Sequence, residues 1–179
     1  MNTVTAVPID DVRAAAGRIS DFAVRTPLVR LNVDDGPAEI YLKLENLQPS
    51  GAFKLRGAVN AVRLADPAAL EQGVWTASSG NMALSVAWVA RRFGLACTAV
   101  VSDNSPEAKL SVIESLGASI LKVPWEEILQ ICRVNGRDGM QGLFLHPFSD
   151  STVMAGNATV GLEIVEDMPD VDTVLVPYG

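Results

Sequence analysis

The chain has 179 residues, of which 49% are hydrophobic, and its formal net charge is −7 at pH 7. This negative charge argues against nucleic acid and anionic membrane surfaces as partners, because neither would attract it. The longest apolar run is far shorter than the roughly 20 residues of a membrane span, and two cysteines are too few for a disulfide framework. The N-terminal residues also lack the basic and apolar regions of a secretory signal, so we expect a cytoplasmic protein.

The first third of the chain predicts a helix, a pair of strands and a second helix. Residues 9–22 carry apolar positions at helical spacing, with acidic residues in the first turn. Residues 28–31 and 39–44 predict strands separated by a turn at 34–37, and the alternation places Lys43 on the solvent face. A helix over residues 54–65 is expected next.

From Gly73 onward, short apolar strands alternate with longer helical stretches. The predicted strands cover residues 74–77, 96–101, 119–123 and 142–145, and the predicted helices cover 82–93, 106–116, 126–134 and 152–166. Continuous apolar strands between helices predict an α/β fold whose open parallel sheet is covered by helices. Gly94, Gly117 and Gly136 are expected to be left-handed residues at helix ends. A last strand over 172–177 is followed by only two residues, so we expect the chain to end within a domain.

Lys54 is the lysine best placed for chemistry among the four in the chain. It lies between a breaker-rich run, residues 49–51, and an apolar helix, and such a corner presents a side chain to a cleft. A lysine nucleophile needs a desolvated site and rigid neighbours, which Phe53 and the helix could supply. The alternative is an ordinary lysine at the start of a helix.

A second polar segment, SSGN at residues 78–81, comes directly after the strand 74–77 and opens the next helix. Ligands of open parallel sheets bind at this point, and free N–H groups at a helix N-terminus favour a carboxylate. Alternatively, one serine caps the helix and Gly80 forms a turn. The glycine fingerprint of a dinucleotide-binding module is absent, which disfavours that class.

Residues 48–58, QPSGAFKLRGA, resemble the segment that carries the cofactor lysine in the serine/threonine dehydratase and serine racemase family, which are pyridoxal-phosphate enzymes of fold type II. The resemblance implies that Lys54 forms a Schiff base with pyridoxal 5'-phosphate and that Phe53 lies beside the cofactor. The family usually has serine where this chain has Ala52.

The SSGN segment is similar to a loop of the same family. The resemblance implies that Asn81 contacts the ring oxygen of the cofactor and that Ser79 is an acid and base opposite the lysine, as in serine racemase. It also implies a loop that binds the substrate carboxylate, formed by Ser78, Ser79, Gly80, Asn81 and Met82. The family often has histidine at the position of Met82.

The resemblance extends from about residue 25 to the end of the chain, with further similar motifs at 106–109, 146–148 and 155–163. It implies that Gly179 begins the loop that cradles the cofactor phosphate. His146 corresponds to a residue near the domain junction, and we assign it no catalytic role.

The family resemblance implies two lobes of the tryptophan synthase β-like architecture. Residues 1–72 and 147–179 would form the larger lobe, incomplete in this chain, and residues 73–146 the smaller, mobile lobe with the SSGN loop. A homodimer is expected for the full-length protein, and no metal ligands are expected in this part.

The function implied by the resemblance is the dehydration and deamination of L-serine or L-threonine to a 2-oxo acid and ammonia. The substrate would be a small hydroxy amino acid. Serine racemase or 3-hydroxyaspartate dehydratase activity is an alternative, because the fate of the carbanion is not encoded in the lysine or the loop. A fragment without catalysis is another.

Overall fold

The computed structural model describes residues 6–32 and 38–177. The chain begins with helix α1 (Ile9–Ile19) and an antiparallel hairpin of β1 (Leu28–Leu31) and β2 (Ile40–Lys43). The predicted turn at 34–37 lies outside the described residues. Within the described ranges no helix is both long and apolar enough to cross a membrane.

The predicted alternation of strands and helices is confirmed. The α-helices and β-strands after the hairpin are α2 (Lys54–Leu64), α3 (Pro67–Leu70), β3 (Val74–Ala77), α4 (Asn81–Phe93), β4 (Cys97–Ser102), α5 (Glu107–Ser115), β5 (Ser119–Val123), α6 (Trp125–Val134), β6 (Leu143–Phe144) and α7 (Ser151–Asp167). The short helix α3 was not predicted. It forms because the Asp66 side chain accepts the Ala68 N–H and proline occupies the first helical position.

Strands β3 to β6 form one parallel sheet in the order β5-β4-β3-β6. Alternate strand residues point to opposite faces, so Ala99 and Val101 pack with α4 and α5, whereas Val100 packs with α6. Both faces of the sheet are therefore covered by helices, as an α/β fold requires.

Helix α2 packs against both α4 and α7. Leu55 and Val59 of α2 share one buried cluster with Val86 of α4 and Val153 of α7. This cluster is continuous across residue 73, where the sequence places the border between the two lobes. The division into lobes remains a prediction.

Two of the three predicted left-handed glycines are confirmed. Gly94 has a φ of 69° and Gly117 a φ of 94°. At the end of α6 the left-handed residue is Asn135, with a φ of 56°, rather than Gly136. Asparagine tolerates this conformation better than other residues with a side chain, so the left-handed position is one residue earlier than predicted, while the helix ends at Val134 as expected.

The predicted strand at 172–177 is wrong, because these residues form neither strand nor helix. A strand needs a hydrogen-bonded neighbour, and no described strand pairs with this segment. Leu175 is 90% exposed.

The predicted solvent exposure of Lys43 is also wrong. Its side chain is only 7% exposed, and Nζ forms an ion pair with Glu163 of α7 at 2.6 Å. Alternation shows which hairpin residues share a face but not which face α7 covers. The opposite face, made of apolar side chains, is the more exposed one; it comprises Val29, Leu31, Ile40 and Leu42.

Candidate active site

Lys54 is the first residue of α2, and its amine reaches the backbone of the segment that follows β6. Nζ donates a hydrogen bond to the carbonyl oxygen of Pro147 at 2.6 Å and lies 5.1 Å from the centre of the Phe53 ring. The side chain is half-buried, and burial lowers the pKa of Lys54. A larger fraction of this amine is thus unprotonated and nucleophilic than at an exposed lysine.

Pro147 reaches Lys54 because β6 runs parallel to β3. The pairing continues past the end of β6, where the Leu145 N–H donates to the Trp75 carbonyl at 2.8 Å. The Thr76 hydroxyl then donates to the Leu145 carbonyl at 2.8 Å. The carboxyl ends of both strands therefore lie at the same edge of the sheet, where α/β proteins bind ligands.

The segment after β3 is the SSGN loop. Its Ser78 N–H donates to the Val100 carbonyl at 2.9 Å, and the Ser78 hydroxyl accepts the Gly80 N–H at 3.2 Å. The Leu84 N–H is bonded to the Gly80 carbonyl at 3.2 Å, which starts the ladder of α4. The N–H groups of residues 81–83 precede this ladder, so they are the ones that a helix start offers to an anion.

The predicted ligand residues of this loop differ in their surroundings. Ser78 and Ser79 are half-buried, and Asn81 is exposed. The Met82 side chain is 2% exposed and packs in the core, so only its backbone can face a ligand. Gly179 lies outside the described residues.

A cavity of about 240 Å³ adjoins both the SSGN loop and the partner of Lys54. Its lining combines Ser78, Ser79, Gly80 and Ser102 with the larger set Ala77, Trp125, Ile128, Leu129, Cys132, Pro147 and Phe148. Pro147 lines this cavity and its carbonyl accepts the Lys54 hydrogen bond, so one residue links the amine to the cavity wall, although Lys54 itself is not among the lining residues.

A buried hydrogen bond ties the lysine corner to the helix that follows the SSGN loop. The hydroxyls of Ser50 and Ser85 are 2.9 Å apart, and both side chains are buried. Neither this contact nor the Pro147 acceptor could be predicted from the sequence. Two separate serines and a backbone carbonyl carry no local sequence signal.

Arg56, which the sequence alone did not reveal, anchors α2 through buried ion pairs. Its side chain is 1% exposed and donates to Glu45 at 2.8 Å and to Glu163 at 2.6 Å. Further hydrogen bonds go to Thr159 and to the Val24 carbonyl. The partners are spread over the whole chain, so spacing could not reveal them.

Comparison with known proteins identifies the family. The family model described as pyridoxal-phosphate dependent enzyme matches residues 19–179. The chain belongs to this family.

The most similar curated proteins include L-threonine ammonia-lyase of Thermotoga maritima, with 37% identity over 97% of this chain and 44% of that protein. L-threonine dehydratase catabolic TdcB of Staphylococcus aureus is 36% identical over 100% of this chain and 53% of its own length. Among solved structures, maize serine racemase superposes with a TM-score of 0.82 and 32% identity, covering 94% of this chain and 52% of that one. The chain thus spans about half the length of these relatives.

The cofactor of this family is pyridoxal phosphate, and the described residues suit its aldehyde end. Formation of an imine requires an uncharged amine at a fixed position, and Lys54 combines a lowered pKa with a hydrogen-bond acceptor at 2.6 Å. The neighbouring cavity is lined by the side chains of Ser78, Ser79 and Ser102.

Proposed function

We propose that this chain is the lysine-bearing part of an enzyme that dehydrates and deaminates L-serine or L-threonine to a 2-oxo acid and ammonia. The observation that carries the proposal is the half-buried amine of Lys54, hydrogen-bonded to a residue that also lines the cavity of the SSGN loop. The curated relatives named threonine ammonia-lyase and threonine dehydratase support this reaction.

Each group has a role in this proposal. Lys54 would hold the cofactor covalently, and Phe53 and Asn81 would contact it. Bound pyridoxal phosphate supplies the electron sink for the negative charge that develops at Cα of the substrate. Once free, the Lys54 amine takes the α-proton as a general base, for which its lowered pKa suits it.

The SSGN loop would orient the substrate. The N–H groups at the start of α4 and the side chains of Ser78 and Ser79 would bind the substrate carboxylate, which fixes the α-proton relative to Lys54. Closure of residues 73–146 over the cleft would exclude water during the loss of the β-hydroxyl.

The first test is selective covalent labelling of Lys54. Incubation with pyridoxal phosphate, reduction with borohydride and peptide mass spectrometry should find the adduct on Lys54 in preference to Lys109 and Lys122, which are exposed. Lys54→Ala should abolish the main adduct, whereas Lys109→Ala, the matched control, should leave it unchanged. Equal labelling of all three lysines would refute the assignment.

Racemisation is the second candidate, because Ser79 lines the cavity and maize serine racemase has a similar structure. A racemase needs a second acid and base opposite the lysine, and the hydroxyl of Ser79 would serve. With the full-length enzyme and L-serine as substrate, release of 2-oxo acid should exceed formation of D-serine. An assay with 3-hydroxyaspartate tests the alternative dehydratase activity. Predominant formation of D-serine would favour the racemase. Size-exclusion chromatography of the same protein tests the expected homodimer.

A further inference from the structure

His146, the single histidine of the chain, is buried in the segment between β6 and α7. Its side chain is 2% exposed. The ring lies between two aromatic side chains, with centroid distances of 5.6 Å to Phe144 and 4.9 Å to Phe148. These two aromatic contacts restrict the orientation of the ring, and its hydrogen bonds restrict it further.

The hydrogen bonds of His146 determine its tautomer. Nδ1 accepts the backbone N–H groups of Phe148 and Ser149, each at 3.1 Å. A nitrogen that accepts two N–H groups carries no proton, so the proton of the neutral ring is on Nε2. Nε2 then donates to the carbonyl of Cys132 at 3.0 Å. The Ser149 hydroxyl oxygen lies 2.9 Å from Nε2 and 3.2 Å from Nδ1.

The Cys132 carbonyl belongs to the last turn of α6. Carbonyl oxygens in the last turn of a helix receive no hydrogen bond from an N–H group of that helix. A histidine side chain near the helix end can donate the missing hydrogen bond. His146 therefore joins the end of α6 to the turn at residues 146–149.

Pro147 lies inside this turn, between His146 and the first N–H that the ring accepts. The Phe148 N–H belongs to the same peptide group as the Pro147 carbonyl, so a hydrogen bond that fixes one also fixes the direction of the other. That carbonyl is the acceptor of the Lys54 hydrogen bond at 2.6 Å.

We propose that His146 is a positioning residue that, through Nδ1, orients the Pro147 carbonyl toward the Lys54 amine and, through Nε2, ties this acceptor to α6. The contact geometry stands alone, and its catalytic meaning rests on the proposed function of Lys54. No substrate or cofactor contact is assigned to the ring itself.

Two substitutions test the hydrogen bonds of Nδ1 and Nε2 separately. In His146→Asn the amide oxygen takes the place of Nδ1 and can accept the Phe148 and Ser149 N–H groups, but the bond to Cys132 is lost. In His146→Gln the amide nitrogen takes the place of Nε2 and can donate to Cys132, but the acceptor for the turn is lost. The two variants are matched in chemistry and differ in which bond they keep.

The readout is the reactivity of Lys54 in the protein without cofactor. The neutral amine reacts with acetic anhydride, so below the pKa the labelling rate follows the neutral fraction, and peptide mass spectrometry compares Lys54 with Lys109 in the same sample. The Pro147 carbonyl favours the charged ammonium, and its loss favours the neutral amine. His146→Gln should label Lys54 about tenfold faster than the unsubstituted protein, the effect of losing one hydrogen bond to a charged group. His146→Asn should stay within about twofold.

Amide exchange gives the second readout. The Phe148 and Ser149 amides should remain protected in His146→Asn and lose protection in His146→Gln, while amides of the α2 core stay protected in both. A Lys54 rate in His146→Gln that is unchanged or slower, or an equal change in both variants, would overturn the proposal.

The unsubstituted protein provides a test that does not depend on the folding of any variant. A long-range ¹H–¹⁵N spectrum of the single imidazole should show an unprotonated Nδ1 and a protonated Nε2. A protonated Nδ1 would overturn the proposal. Failure of the proposed function would appear separately, as missing pyridoxal phosphate adduct on Lys54 with these results intact.

Discussion

Helices α2 and α7 cross closely, so replacing Gly156 or Gly161 of α7 by alanine should change the free energy of unfolding in opposite directions. A Cβ atom on Gly156 would lie 2.5 Å from the carbonyl oxygen of Arg56 and 2.7 Å from Cα of Gly57. Both neighbours are backbone atoms, so neither can rotate away. On Gly161, five positions later in α7, an added Cβ meets nothing within 4 Å, and the residue is exposed.

The magnitude for Gly156→Ala follows from the overlap. An unstrained contact needs about 3.5 Å, so the two helices must separate by roughly 1 Å. Overpacking of this kind costs up to about 3 kcal/mol, and the better helix propensity of alanine returns about 1 kcal/mol. The free energy of unfolding should therefore fall by about 2 kcal/mol. Gly161→Ala has only the propensity term and should raise it by about 0.5–1 kcal/mol.

Urea denaturation followed by circular dichroism measures both variants against the unsubstituted chain. The slope of the free energy with urea should be the same in all three proteins, so that a shift of the midpoint reports stability. If Gly156→Ala were as stable as the unsubstituted chain, the two backbones could not approach as closely as the structure shows. If Gly161→Ala were destabilised to the same extent, the loss would come from α7 itself and not from the crossing.

Three further predictions concern buried charges and thiols. Arg56→Met leaves Glu45 and Glu163 without their shared cation and should lower the free energy of unfolding in urea by about 3–5 kcal/mol; a loss below about 1 kcal/mol would contradict a buried ion pair. Burial raises the pKa of Glu45, but its hydrogen bonds, that from Arg56 above all, outweigh this and hold the pKa below its ordinary value. The stabilisation that ionised Glu45 gives the folded state is therefore present above about pH 4.3 and is lost as the pH falls through the folded-state pKa. Glu45→Gln should remove this component from the pH dependence of the urea midpoint. An unchanged pH dependence in that variant would argue against the lowered pKa. Burial raises the pKa of the Cys97 thiol to about 12, so at about pH 8 iodoacetamide should alkylate half-buried Cys132 well before Cys97, and equal rates by mass spectrometry would contradict the burial of Cys97.

The α/β architecture could be predicted because its signals are local. Each strand of the parallel sheet is a short apolar run, and each glycine or proline near a helix end acts within a few residues. Gly94 and Gly117 illustrate this, since a left-handed residue after a helix is a property of that residue. At the end of α6 the prediction placed the left-handed residue at Gly136 instead of Asn135, an error of one position in the same local pattern.

The predictions were wrong where tertiary contacts determine the exposure or the secondary structure of a residue. Lys43 sits on an alternating strand whose pattern does not say which face α7 will cover, and its ion pair with Glu163 spans 120 positions of the chain. Residues 172–177 have the composition of a strand, but a strand exists only with a paired neighbour. The acceptor for Lys54 could not be found either, because the Pro147 carbonyl is backbone and becomes specific only through the pairing of β6 with β3.

The hydrogen bond of Lys54 joins two parts of the molecule that are held in place by different contacts. On the donor side, Arg56 fixes the first turns of α2 to Glu45 and to Glu163 of α7. On the acceptor side, Pro147 is fixed by the pairing beyond β6 and by His146. The distance between Nζ and the Pro147 oxygen therefore depends on both sets of contacts. Because the neutral fraction of the amine depends on this acceptor and on burial, contacts outside the cleft, such as the ion pairs of Arg56, also affect the reactivity of Lys54.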